Sequence, residues 1–140
     1  MKVKNVMSTE IETIEPEMSV RKAAEIMIRY RIGGLVVEQD QEIVGVITER
    51  DILKAFVKDM KPETFVKDVM TKEVITIEED ATLEDVAKRM LDYDIKRLPV
   101  VSKGRCVGIV TATDLITYEE RLIDKVSELF KLPKKRNEAG

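Results

Sequence analysis

Histidine is absent from the sequence and cysteine occurs once, at Cys106. The first absence removes the commonest nitrogen ligand of zinc and the imidazole on which nucleophile-plus-base catalysis relies. The second rules out a disulfide framework within the chain and fits a reducing compartment, so a cytoplasmic protein is expected. Long apolar runs are missing as well. The opening "MKVKNVMSTE" is too polar for a signal peptide, and no stretch approaches the length of a membrane span. Basic charge is not in excess: 24 Lys and Arg stand against 27 Asp and Glu, a formal net charge of −3, and basic residues cluster only in the final "KLPKKRN". A nucleic-acid-binding face spread over the body is therefore not expected, and the short basic run reads as a solvated terminus.

What is present is an apolar fraction of 44% in 140 residues, enough to build a core, and a repeat. Shifting the sequence by 63 residues lays "VKNVMSTEIETIEPEMSV" over "VKDVMTKEVITIEEDATL" and runs without a gap into "GVITERD" over "GIVTATD". Self-similarity on that scale means two copies of one structural unit. Each copy opens with a short β-branched stretch, residues 11–14 or 74–77, followed by a helix-capping Ser19 or Thr82. Apolar residues then recur at helical spacing: Val20, Ala23, Ala24, Met27 and Ile28 in the first copy, Leu83, Val86, Ala87, Met90 and Leu91 in the second. Two strands follow, over 35–38 and 43–47 or 98–101 and 107–110, joined by "QDQE" or "KGRC". A second helix begins at each Thr-x-x-Asp.

The expected fold is thus α/β (α+β): two β-α-β-β-α units related by a pseudo-twofold axis and packed into one disc, because a single unit leaves its apolar faces uncovered. The expected boundaries are 1–60 for the first unit, 61–118 for the second, and 119–140 for a C-terminal helix, read as an extension of the one before it, and a tail. Residues 58–65, "KDMKPETF", read as the connector. The last helix carries Leu122, Val126, Leu129 and Phe130 and is expected to stop before Pro133, with a frayed "KKRNEAG" beyond.

The duplicated Gly-h-h-Thr-x-x-Asp admits two readings. In one it is a capping box, with Thr48 or Thr111 as the N-cap and Asp51 or Asp114 reaching back, and with Gly45 and Gly108 serving a close strand-to-helix contact. In the other, the helix start and its hydroxyl attract a phosphate while the carboxylate accepts from sugar hydroxyls, which together make a nucleotide cradle. Ile14, Leu35 and Val36 in one copy, and Ile77, Leu98 and Pro99 in the other, are candidate walls for a flat base, and equally ordinary core.

The two copies in register, with "VKNVMSTEIETIEPEMSVRKAAEIM" in the first, "IKRLPVV" in the second and "GVITERD"/"GIVTATD" in both, resemble a tandem pair of CBS domains, the arrangement called a Bateman module. The resemblance covers residues 1 to about 118. It implies a regulatory module rather than an enzyme, with clefts that bind adenosyl compounds such as AMP, ADP, ATP or S-adenosylmethionine, no required cofactor, and a homodimeric disc. Carried onto this sequence, it places Asp51 and Asp114 at the ribose and Thr48 and Thr111 near the phosphate. It adds Thr13 and Thr76 beside the base walls, and Lys96 and Arg97 as phosphate contacts. At the places of that basic pair the first copy has Gly33 and Gly34, at the place of Pro99 it has Val36, and it holds Arg50 where the second has Thr113. The two clefts are therefore expected to be unequal. The competing expectation is a module that keeps the fold for oligomerisation, without a ligand, and regulates a partner protein; an enzyme is not expected, since the repeat consumes most of the chain. No membrane or metal partner is expected.

Overall fold

A computed structural model describes residues 1–129 of the chain; the expectations placed on Phe130, on a helix end before Pro133 and on the basic tail lie outside the described residues. The first unit contains β1 (Thr13–Ile14), α1 (Val20–Tyr30), β2 (Gly34–Gln39), β3 (Glu42–Thr48) and α2 (Glu49–Val57). The second repeats it as β4 (Ile77–Glu78), α3 (Leu83–Tyr93), β5 (Arg97–Ser102), β6 (Arg105–Thr111) and α4 (Ala112–Leu129). The β-α-β-β-α order read from the repeat holds in both copies. α4 is one unbroken helix that runs through position 119.

The local chemistry explains the elements. Ser19 Oγ accepts the Lys22 N–H at 3.0 Å to start α1, and Thr82 with Asp85 forms a reciprocal capping box at the start of α3. Both helices end on a left-handed residue, Arg31 (φ 55°) or Asp94 (φ 51°), after which Ile32 or Ile95 donates back to Met27 or Met90 at 3.0 Å. The hairpins turn over Asp40–Gln41 and Lys103–Gly104, all four at positive φ, which makes two-residue turns tighter than the four-residue loops the sequence suggested.

Each sheet has three strands. β1 runs parallel to β2 and β2 antiparallel to β3, with Leu35 opposite Ile47; in the other sheet Leu98 stands opposite Val110. β1 and β4 are each two residues long rather than the four expected, and the cause lies just upstream. The segments before them leave their own sheets to pair with the opposite unit: Ser8 bridges Ile109 of β6, and Thr71 bridges Val46 of β3.

The same crossing governs the core. The second unit's cluster, built on Ile77, Val86, Met90, Leu98, Val100 and Val110, is completed by Val3 from the far end of the chain. The first unit's cluster, on Ile14, Ala23, Met27, Leu35, Val37 and Ile47, is completed by Val66. Short 3₁₀ turns, Val3–Asn5 and Val66–Asp68, carry these two valines. Residues 58–65 accordingly do more than connect: Phe65 pairs with Ser19, and the Thr64 carbonyl accepts the Val20 N–H at 2.8 Å.

Gly45 and Gly108 answer to this crossing and not to a strand-to-helix contact. A Cβ at Gly45 would lie 2.5 Å from Met70 Sδ and 3.0 Å from the Thr71 carbonyl oxygen, and one at Gly108 2.7 Å from both Met7 Sδ and the Ser8 carbonyl oxygen. The motif glycine is the place where the other unit's leading segment passes over the sheet.

Candidate functional site

A cleft of about 610 Å³ opens where the two units meet, a volume suited to a small organic ligand. Its lining includes matched positions from both copies: Val36 with Pro99, Val46 with Ile109, and the Gly33–Gly34 pair with Lys96 and Arg97. Leu35, the start of α2 at Thr48, Glu49 and Arg50, and Thr71, Glu73, Val74 and Ile75 of the crossing segment line it without their counterparts from the other copy. Asp94 and Ile95 complete the lining. Eight residues named from the sequence are brought together here: Gly34, Leu35, Val36, Thr48, Arg50, Lys96, Arg97 and Pro99.

Asp51 sits just behind this wall. It is buried, and its carboxylate is well occupied: Oδ2 accepts the Thr48 N–H at 2.9 Å and the Thr48 hydroxyl at 3.1 Å, and Oδ1 accepts the Thr71 hydroxyl at 3.3 Å. The reciprocal bond from the Asp51 N–H to Thr48 Oγ1, 3.3 Å, completes a capping box. The Glu49 N–H donates to the Gly33 carbonyl at 3.1 Å. Three of the first four amides of α2 thus have partners within the protein, and among the described residues the Arg50 amide is the one left without. The anion site expected at the bare helix start is largely filled by the chain itself.

Asp114 is placed differently. It accepts the Thr111 N–H at 2.8 Å and its own N–H donates to Thr111 Oγ1 at 3.2 Å, but no hydroxyl from the opposite segment reaches it among the described residues. Ser8 stands at the position that Thr71 holds in the other half. Thr111, Thr113 and Asp114 do not line the 610 Å³ cleft. Nor do Thr13, Ile14, Thr76, Ile77 and Leu98: Ile14 belongs to the first core, Ile77 and Leu98 to the second, and the Thr76 carbonyl accepts from Arg89 Nη1 at 2.6 Å. The ambiguity between wall and core resolves toward core for these three apolar side chains.

Sequence reasoning did not name Val46, Ile109, Glu49, Glu73, Asp94 or Thr71. For the last four no sequence signal exists. Val46 and Ile109 follow the two motif glycines, and their shared offset from Gly45 and Gly108 was the available clue.

The comparisons with known proteins agree with this architecture. The CBS domain model matches residues 3–58 and again 66–121. The chain belongs to the CBS-domain family. The CBS domain-containing protein YhcV of Bacillus subtilis is 32% identical over 114 residues, 81% of each chain. An uncharacterised protein of Methanocaldococcus jannaschii is 33% identical over 115 residues, which are 81% of this chain but 41% of that one, so this chain spans less than half the length of that relative. Among solved structures, the CBS domain pair of protein MJ0100, in complex with 5′-methylthioadenosine and S-adenosyl-L-methionine, superposes with a TM-score of 0.80 at 33% identity, covering 87% of this chain and 98% of that one. In this CBS pair no helix of the described residues is long and apolar enough to cross a membrane.

Proposed function

We propose that this CBS pair is a regulatory module that binds an adenosyl compound in the cleft between its two units and passes the bound state to a partner protein. The observation that carries the reading is the cleft itself: apolar walls from both copies, Val36, Val46, Pro99 and Ile109, flanked by Thr48, whose hydroxyl is bonded to the buried Asp51 carboxylate behind it. Support comes from the MJ0100 pair, similar in fold and 33% identical, whose ligands are methylthioadenosine and S-adenosylmethionine. The cleft is lined by both units, so a ligand there touches both and favours whichever relative placement gives it more contacts; regulation then follows as a population shift. The chain acts by binding and not by catalysis, and it works as a homodimer in the cytoplasm.

Thermal melting with excess AMP, ATP, S-adenosylmethionine or methylthioadenosine tests the reading. A ligand of the native state raises the midpoint, by an amount that corresponds to about 2.7 kcal/mol at a hundredfold excess over its dissociation constant. An unchanged midpoint with all four compounds would leave a ligand-free oligomerisation module instead.

A further inference from the structure

α1 and α3 hold equivalent places in the two units, and their outward sides carry opposite charges. Arg21, Lys22, Glu25 and Arg29 on α1 stand where α3 has Glu84, Asp85, Lys88 and Asp92, so the sign is inverted at every charged position of α1. All of these side chains are exposed. Residues four apart share one row on a helix, which makes Arg21, Glu25 and Arg29 a row of plus, minus, plus, and Glu84, Lys88 and Asp92 a row of minus, plus, minus. Ile28 and Leu91, exposed as well, lie beside the middle charge of each row.

These charges find almost no partner inside the chain. Among the described residues, Arg21 alone of them has an opposite charge within 4.0 Å, Glu63 at 3.5 Å, in an exposed pair that contributes little. Asp85 is committed to its cap, where it accepts the Thr82 N–H at 3.2 Å. A solvated helix gains from alternating charge along its own surface, but either order of signs serves that purpose equally. The inversion between the copies has an effect only where an α1 meets an α3, and within one chain the two rows make no ion pair with each other.

A row of plus, minus, plus reads the same from either end. With Glu25 at the centre, α1 against α1 of a second copy therefore sets like charge on like charge whichever way the helices run, and α3 against α3 does the same. α1 against α3 of the second copy sets opposite charges together in both directions. Twofold symmetry makes that contact twice, because α3 of the first copy then meets α1 of the second. One exposed pair is weak, but every pair in both contacts changes from attraction to repulsion between the two arrangements, and that difference decides the orientation.

Resting on the homodimer reading above, we propose that two copies of this chain associate head to tail, α1 of each on α3 of the other, and that the opposed charge rows select this arrangement over the one in which like units meet.

The test is the dimer dissociation constant of the full chain, measured by sedimentation equilibrium with the rows exchanged. One variant carries Arg21→Glu, Glu25→Lys and Arg29→Glu, a second carries Glu84→Lys, Lys88→Glu and Asp92→Lys, and a third carries both sets; Asp85 and its cap are left alone. Each of the first two should weaken the dimer about tenfold or more, and the third should return to within about threefold of the wild type. The two sets shift the net charge in opposite directions, so general repulsion could weaken only one of them. The wild type supplies a readout that needs no variant to fold: raising the salt from about 50 to 500 mM should weaken its dimer, whereas like charges facing each other would make salt strengthen it. Unchanged dissociation constants in the first two variants, no recovery in the third, or a wild-type dimer that salt strengthens overturns this inference and leaves the homodimer standing. A wild type that sediments only as a 16.0 kDa monomer overturns the homodimer reading, and the inference with it.

Discussion

Two residues of the repeated motif are chemically identical in both copies and yet differ in their surroundings. Asp51 and Asp114 both cap a helix, but Asp51 is buried and accepts three hydrogen bonds where Asp114 accepts one. Removing the carboxylate at 51 strands the Thr71 hydroxyl and the Thr48 amide together. Asp51→Ala should therefore cost about 1.5–3 kcal/mol of stability, and Asp114→Ala about 1 kcal/mol, as for an ordinary cap; urea denaturation of both variants checks the order. The motif glycines make a second pair. At Gly108 an added methyl group meets a backbone oxygen at 2.7 Å, whereas at Gly45 the backbone oxygen is at 3.0 Å and the closest atom, 2.5 Å away, is the movable end of Met70. Both Gly→Ala variants should destabilise, by about 1–3 kcal/mol, with Gly108→Ala the worse; reversal of that order in thermal melts would show that the crossing segments yield more easily than their packing implies.

Among elements, the legible part of this chain was whatever the sequence states within one turn or one strand. Ser19 and Thr82 announce helix starts, and the apolar spacing through Val20, Ala23 and Met27 announces a buried stripe, because cap and stripe are local properties; the same spacing also took in Ile28, which the fold leaves exposed. The crossing segments were not legible. Val3 and Val66 stand in polar stretches without periodicity, and each finds its core partners in the unit that local reading assigns elsewhere. The same limit applies to the cleft: Lys96 and Arg97 were visible as a basic pair, but that the Arg97 guanidinium lies against Gly33 and Gly34 of the first unit depends on the pseudo-twofold packing, which no local pattern encodes. One consequence distinguishes a crossed core from two separate ones. Val3→Ala empties a fully buried position, at a cost of about 1–3 kcal/mol, and the loss of amide-exchange protection should fall on α3 and β5 in the second unit, leaving α1 and β2 unaffected. Protection lost first in α1 would contradict the crossing.

At the scale of the whole molecule the disc leaves apolar side chains uncovered on its helical face. Ile28 of α1 and its counterpart Leu91 of α3 are 78% and 81% exposed, Leu53 and Ile116 follow the same symmetry, and Phe56 and Val57 of α2 stand 79% and 78% exposed. A monomer that keeps so many large side chains in water gains by pairing them, and closed twofold association is the common way for identical chains to do so. The repeat is broken on this face, since Glu119 and Glu120 hold the places of Phe56 and Val57 in the second copy. α2 is therefore the stickier of the two second helices. Light scattering at about 10 μM, above the dissociation constant expected for a standard-sized interface, should return twice the 16.0 kDa chain mass. Phe56→Glu places a carboxylate at the centre of the apolar set without touching either core cluster, so it should return a monomer of unchanged helical content. Glu119→Ala, on the half that already carries charge, should leave the dimer intact. A wild-type chain that scatters as a monomer, or a Phe56→Glu variant that remains dimeric, would mean that this helical face meets something other than a second copy of the disc.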